Sequence, residues 1–306
     1  MKQYVLYVKS YIVDNFNLKL YASTTLLLVV CLVANYSVEF EDTVMDTYYG
    51  SEIQKIYYLL FQGIPYYVVC LFIYLFTDNK SFVKNSKFWL YSLFGLSVLS
   101  FDRSFYYHHN FNDLHYFTIK LIGSSREMLT MFLPLLFFYL FYDRRKITHF
   151  YGLRLKGVDF RPYVWMLAGM SILVVLASFN QSFLDHYPVY KTRLGEAYAR
   201  VHEISKYIPF VSFELAYGLS FTMIELLFRG FLVIGLARFL GDDVILPMAV
   251  TYCVLHFGKP AGEAISSIFG AYILGILALR TKNIWGGVFI HAGIAVSMDV
   301  FAYLQK

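Results

Sequence analysis

Two oppositely charged residues, Glu225 and Arg229, lie four positions apart in the otherwise apolar segment 208–240. On a helix this spacing places both side chains on one face. A charged group inside a bilayer costs on the order of a few kcal/mol or more, so such residues face the bundle interior, pair, and mark functional sites. The pair is therefore either part of a site or a structural ion pair that holds helices together.

More ionisable residues occur in the apolar segments that follow. His256 ends one apolar run, Glu263 opens the next after a break that contains Gly and Pro, and His291 lies in the last run. A carboxylate with two imidazoles can take a proton from water, or bind a divalent metal such as zinc that lowers the pKa of that water. The spacing is not the His-Glu-x-x-His pattern of zinc proteases. We predict catalytic residues Glu225, His256, Glu263 and His291, a bracing role for Arg229, and a metal held by His256 and His291; Asp299 is a weaker candidate.

The composition indicates a membrane protein. Of the 306 residues, 58% are hydrophobic and 15% are charged, and the mean hydropathy of +0.53 is too high for a soluble domain. The net charge of +5 comes from basic residues in the links between apolar runs, so we predict no nucleic-acid partner. The three cysteines lack the paired spacing of disulfides or zinc sites, which favours plain core positions.

Apolar runs mark the candidate membrane helices. They cover residues 20–36, 56–76, 88–101, 128–142, 163–179, 208–240, 244–257, 265–279 and 284–304. Several are shorter than the roughly 20 residues that a full span needs. We predict an all-α polytopic transmembrane bundle of about eight or nine helices. Residues 1–161 form its N-terminal helices and loops, and residues 162–306 form the core that carries the polar side chains.

Charges in the links orient the bundle. The links 80–87 and 144–161 are basic, whereas the link 39–46 is acidic. The positive-inside rule places the basic links and the N-terminus in the cytoplasm, and the link 180–207 outside. We expect an integral membrane protein, of the inner membrane if the source is bacterial. The link that contains His108, His109 and His115 is interpreted as an aromatic-rich loop, and not as a metal site.

Three short motifs, in this order, resemble the CPBP family of intramembrane proteases. They are Ile-Glu-Leu-Leu-Phe-Arg-Gly at 224–230, Tyr-Cys-Val-Leu-His at 252–256 and His-Ala-Gly-Ile-Ala at 291–295. This family, once called the Abi group, includes type II CAAX prenyl endopeptidases and bacteriocin-processing or self-immunity proteins. The resemblance implies a helical protease core over about 208–304, and a membrane-bound or lipidated polypeptide, such as a prenylated CAAX protein, as substrate.

Two positions depart from the family pattern, which is Glu-Glu-x-x-x-Arg, Phe-x-x-x-His and His-x-x-x-Asn. Ile224 stands where the family has its water-activating Glu, and Ala295 stands where it has Asn; Tyr252 in place of Phe is a milder change. Two hypotheses stay open. The first is an active endopeptidase whose base is Glu263 or Glu225. The second is a catalytically silent relative that binds a membrane protein or lipidated peptide as an immunity or scaffold factor. A transporter is less favoured, because the sequence shows no related halves.

The orientation can be tested with fusions to alkaline phosphatase, which is active only outside the cytoplasm. We expect activity for fusions after residues 42 and 185, and none for fusions after residues 84 and 146, because the basic links remain inside. Phosphatase activity is measured against the amount of each fusion protein. The opposite pattern of activity would show that the bundle is inverted.

Overall fold

The computed structural model describes residues 2–105, 121, 126–147 and 149–306, and these residues form helices and no strands. The prediction of an all-α polytopic bundle is confirmed. The predicted loop around His108, His109 and His115 lies outside the described residues.

The main helices follow one another along the chain with short links. In order they are α1 (Lys2–Asn15), α2 (Leu18–Val38), α3 (Glu52–Phe76), α4 (Ser86–Arg103), α5 (Met128–Asp143), α6 (Arg161–Ala177), α7 (Gln181–His186), α8 (Thr192–Val201), α9 (Tyr207–Glu225), α10 (Ile245–Leu255), α11 (Ala261–Thr281) and α12 (Trp285–Gln305). After α9 the chain continues as a π-helix, Leu226–Gly235, and a short helix, Ala237–Leu240.

All nine predicted apolar segments fall on helices. Among the described residues, five helical stretches are long and apolar enough to cross a membrane, namely Leu18–Val38, Glu52–Phe76, Tyr207–Leu255, Ala261–Thr281 and Trp285–Gln305. The helices α5 and α6 are apolar but shorter. The sequence did not predict α1, α7 and α8, which lie in segments of mixed polarity. In these segments burial of a few residues, such as Tyr11 in α1 and Ala199 in α8, accompanies helix formation.

The π-helix Leu226–Gly235 is the centre of the bundle, since all ten of its residues are buried. Helices α4 and α5 and the turn at Tyr151 pack against it through aromatic rings. The ring of Phe231 contacts the rings of Phe138 and Tyr151, with centroids 5.4 and 5.1 Å apart. A Cβ atom at Gly230 would lie 2.7 Å from the carbonyl oxygen of Tyr151, so only glycine allows this approach. π-Helical turns are frequent at functional sites.

The N-terminal helices pack directly on the polar C-terminal ones. The hydroxyls of Tyr21 and Tyr272 are 2.6 Å apart, and the Tyr36 hydroxyl donates a hydrogen bond to the Lys259 carbonyl at 2.7 Å. Residues from both sides of the predicted boundary at 161 form one buried cluster. That division of the chain stays a prediction.

A buried carboxylate joins the two parts of the chain. Asp143, which is fully buried, accepts hydrogen bonds from the hydroxyls of Tyr91 and Tyr151, at 2.7 Å each. Arg238 donates two more hydrogen bonds to it, at 2.8 and 2.9 Å. Two-pronged pairs of this kind are among the stronger charge-assisted interactions.

We expect Arg238→Met to lower the free energy of unfolding by about 3 kcal/mol, because it leaves Asp143 buried without its counter-charge. The value is the low end of the usual range, since the Arg238 side chain keeps 27% of its surface exposed. Reversible unfolding in mixed micelles measures the change. Lys55→Met is the control, because it breaks an exposed pair with Glu52 and should cost at most about 1 kcal/mol. Equal losses for both variants would contradict the structural role of the buried pair.

Candidate active site

A cavity of ≈ 680 Å³ lies among α6, α9, α11 and α12, beside the C-terminal end of α10. One side of its wall is polar and contains Arg229, Tyr252, His256, Lys259, Glu263 and His291. The rest is largely apolar and includes Leu173, Val174, Leu274, Ile290 and Ile294. The cavity therefore combines a compact set of titratable groups with an apolar chamber, as binding sites commonly do.

Glu225 is fully buried and is not part of the cavity wall. Its Oε1 atom lies 3.0 Å from Arg229 Nη1 and 3.1 Å from His291 Nδ1. Its Oε2 atom has no hydrogen-bond partner and lies against Gly287, where a Cβ atom would come within 2.1 Å of it. The carboxylate is thus enclosed between the central helix and α12, where it neutralises Arg229.

His291 and Tyr252 continue this buried network to the cavity. With Nδ1–H of His291 donated to Glu225, the other ring nitrogen accepts from the Tyr252 hydroxyl at 3.1 Å. We assign this tautomer from the partners of the ring. The Arg229 guanidinium lies over the Tyr252 ring, 4.2 Å from its centroid, and its Nε atom has no hydrogen-bond partner. The contact of its Nη1 with Glu225 is close but does not have the angles of a hydrogen bond.

His256 points one ring nitrogen away from its own helix. It lies where α10 ends, and its Nδ1–H donates to the carbonyl of Tyr252, one turn earlier, at 2.8 Å. This hydrogen bond leaves Nε2 as the unprotonated nitrogen of a neutral ring. Nε2 is 4.0 Å from Glu263 Oε1, too far for a direct hydrogen bond.

Glu263 lies in the first turn of α11, where the helix dipole favours a negative charge. Its Oε1 pairs with Lys259 Nζ at 2.6 Å, and its Oε2 accepts a hydrogen bond from the Tyr187 hydroxyl at 2.7 Å. The Gly- and Pro-containing break at 258–262 supplies both the turn into α11 and the lysine. Such irregular backbone is tolerated at membrane depth when it borders a cavity.

The structure therefore divides the predicted site into two groups. Glu225, Arg229 and His291 form a buried network that reaches the cavity through Tyr252, while His256 and Glu263 form a pair at the cavity wall. No carboxylate of the described residues contacts both histidine rings. Asp299 serves elsewhere, because it accepts hydrogen bonds from the backbone N–H groups of Val189 and Tyr190, at 2.9 Å each.

The predicted metal on His256 and His291 can be compared with these positions. Zinc needs ligand atoms about 2 Å from the ion. In the part of the chain that the structure describes, three potential ligands come within 4.8 Å of one another at Glu41, Asp42 and Asp46, and neither histidine belongs to such a group. The side-chain positions do not form a three-ligand zinc site, and we derive no step through a metal. Metal binding stays a prediction.

Residues 206–297 match a family model described as Rce1-like, type II CAAX prenyl endopeptidase Rce1-like. The match confirms the predicted resemblance to CPBP-family intramembrane proteases. It covers α9 to most of α12, which are the helices that carry Glu225, His256, Glu263 and His291. No curated protein and no solved structure matches the chain. The chain is an integral membrane protein with a CAAX-protease-like core, while the Abi and metalloprotease assignments stay predictions.

Two residues of the cavity were missed in the sequence. Lys259 has a weak signal, since it precedes Glu263 by four positions. Tyr187 has none, because it comes from the link between α7 and α8, 76 positions before Glu263. The departures from the family also differ in position. Ala295 lines the cavity, whereas Ile224 packs against the main hydrophobic cluster.

We expect Gly287→Ala to lower the free energy of unfolding by about 1–3 kcal/mol, the usual cost of overpacking. The new methyl group would displace the Glu225 carboxylate from Arg229 and His291. Thermal unfolding in detergent measures the effect. Gly169→Ala is the matched control, because it adds the same methyl group to α6 with nothing within 4 Å. If both variants are as stable as the parent protein, Glu225 does not occupy this position.

Proposed function

We propose that this protein is an intramembrane endopeptidase in which His256 and Glu263 hold the attacking water. The observation that carries the proposal is the 4.0 Å gap between His256 Nε2 and Glu263 Oε1 at the cavity wall. A water molecule about 2.8 Å from each atom fits this gap and donates one hydrogen bond to each. Its lone pair is then free to attack a carbonyl carbon in the cavity.

The reaction that this arrangement supports is hydrolysis of a peptide bond. As the water oxygen bonds to the carbonyl carbon, its proton passes to the His256–Glu263 pair, which acts as general base. The same pair returns a proton to the leaving nitrogen when the C–N bond breaks. This role requires the neutral His256 ring that its Nδ1 hydrogen bond to Tyr252 supports.

Arg229 is suited to stabilise the negative charge that develops on the carbonyl oxygen. It lines the cavity, it is fixed by Glu225 and by the Tyr252 ring, and its Nε has no partner in the protein. A preorganised cation in a chamber with little water stabilises such charge more than solvent does. In this proposal Glu225 and His291 hold Arg229 and Tyr252 in place.

The substrate is a polypeptide at or in the membrane. The apolar part of the cavity wall, with residues such as Leu173, Leu274 and Ile294, suits apolar side chains or a lipid attached to the chain. The family resemblance makes a lipidated polypeptide the first class to examine.

One observation favours the second candidate, a silent binding relative. Ala295 faces the cavity where the family has Asn, and Ile224 removes the family's own water-activating Glu. Such a protein would bind its partner in the same cavity and leave it intact.

Comparison of protein N-termini separates the two candidates. Membranes of host cells that produce the parent protein, His256→Ala or Glu263→Gln are compared by quantitative mass spectrometry of new N-termini. We expect a set of new N-termini with the parent protein that falls at least about a hundredfold with either variant, the low end for loss of a general base.

Two exposed residues supply matched controls. Glu52→Gln and His202→Ala remove the same chemical groups far from the cavity and should leave the new N-termini unchanged. Identical N-termini with and without the parent protein would overturn the endopeptidase. A polypeptide that then co-purifies intact, and is lost when the cavity is blocked by Gly270→Trp, would support the silent relative.

A further inference from the structure

One side chain from outside the family-matched segment reaches the proposed base. The hydroxyl of Tyr187 donates a hydrogen bond to Glu263 Oε2 at 2.7 Å, while Lys259 occupies Oε1. Tyr187 is 2% exposed, and its ring packs against Phe183 with centroids 4.9 Å apart. Burial, together with the nearby Glu263 carboxylate, raises the pKa of Tyr187 far above its usual range, so it stays a hydroxyl donor.

The segment that carries Tyr187 is held in place from the opposite side. Asp299 of α12, which is fully buried, accepts the backbone N–H groups of Val189 and Tyr190. A carboxylate that accepts two backbone hydrogen bonds fixes the path of the chain two and three residues after Tyr187. Phe183 and Tyr187 also pack with Val174 of α6 and Ala302 of α12. Tyr187 therefore approaches Glu263 from a fixed position.

We propose that Tyr187 is a positioning residue of the active site, which holds the Glu263 carboxylate in the orientation that directs Oε1 toward His256. This inference rests on the proposed endopeptidase function. A glutamate side chain in the first turn of a helix has several accessible rotamers, and a partner on only one oxygen leaves the carboxylate free to rotate about its last bond. Donors on both oxygens remove that freedom. Preorganisation of this kind lowers the barrier without contributing a reacting group.

The site thus combines contributions from two parts of the chain. The family-matched segment supplies His256, Lys259 and Glu263, while the link between α7 and α8, outside that segment, supplies the second donor to the base. In a chain with Ile224 at the family's position for the base, this contact gives Glu263 an orientation that its own helix does not impose.

The test compares Tyr187→Phe with Tyr207→Phe, which removes an exposed hydroxyl at the start of α9. Both proteins are reconstituted in liposomes with a fluorogenic peptide that contains the strongest cleavage site found with the parent protein. We expect Tyr187→Phe to lower kcat about tenfold or more, as loss of a hydrogen bond to a charged group does, with KM changed less than about twofold. Tyr207→Phe should match the parent in both constants. Thermal unfolding midpoints confirm that the variants are folded.

The outcomes distinguish this inference from the function on which it rests. If Glu263→Gln is inactive and Tyr187→Phe is as fast as the parent, the positioning role is overturned while the endopeptidase stands. If Tyr187→Phe raises KM and leaves kcat unchanged, Tyr187 contacts the substrate instead and the positioning role is equally overturned. If Glu263→Gln keeps full activity, or the parent protein generates no cleavage, the proposed function fails and the inference fails with it.

Discussion

The arrangement of the bundle depends on neutralising one buried charge. Arg229 is 1% exposed in the most enclosed helix of the protein, and it is stable there only because Glu225 lies 3.0 Å away and the Tyr252 ring lies beneath it. Glu225 needs space beside Gly287 and a second partner in His291. These requirements set the positions of the central helix, α10 and α12 relative to one another. The cavity forms where their polar faces end.

The division of labour in this cavity follows from where each charge is held. A carboxylate enclosed by Arg229 and His291 has no access to a water molecule in the cavity, so Glu225 is suited to support. Glu263 lies at the wall and faces a histidine whose free nitrogen is defined by a backbone hydrogen bond. The two positions that depart from the family pattern therefore do not leave the cavity without a water-activating pair. They move that role from the central helix to the start of α11.

Helices and their order could be predicted from the sequence because apolar runs, basic links and the Gly- and Pro-containing break are local signals. The pairing of Glu225 with Arg229 could also be predicted, since a four-residue spacing on one helix determines it. Which carboxylate faces which histidine could not, because the rotation of each helix about its axis depends on packing. The contact of Tyr187 with Glu263 joins residues 76 positions apart through a polar link without periodicity. The helices α1, α7 and α8 escaped prediction for the same reason.

The most direct measurement is a high-resolution experimental structure of the protein in lipid, with attention to the gap between His256 Nε2 and Glu263 Oε1. We predict density for one ordered water molecule within about 3 Å of both atoms, the distance of ordinary hydrogen bonds. Direct contact of the two atoms with no room for water would contradict the account, as would a His256 ring turned out of the cavity. In either case the cavity would hold no activated nucleophile, and binding without cleavage would be the better interpretation.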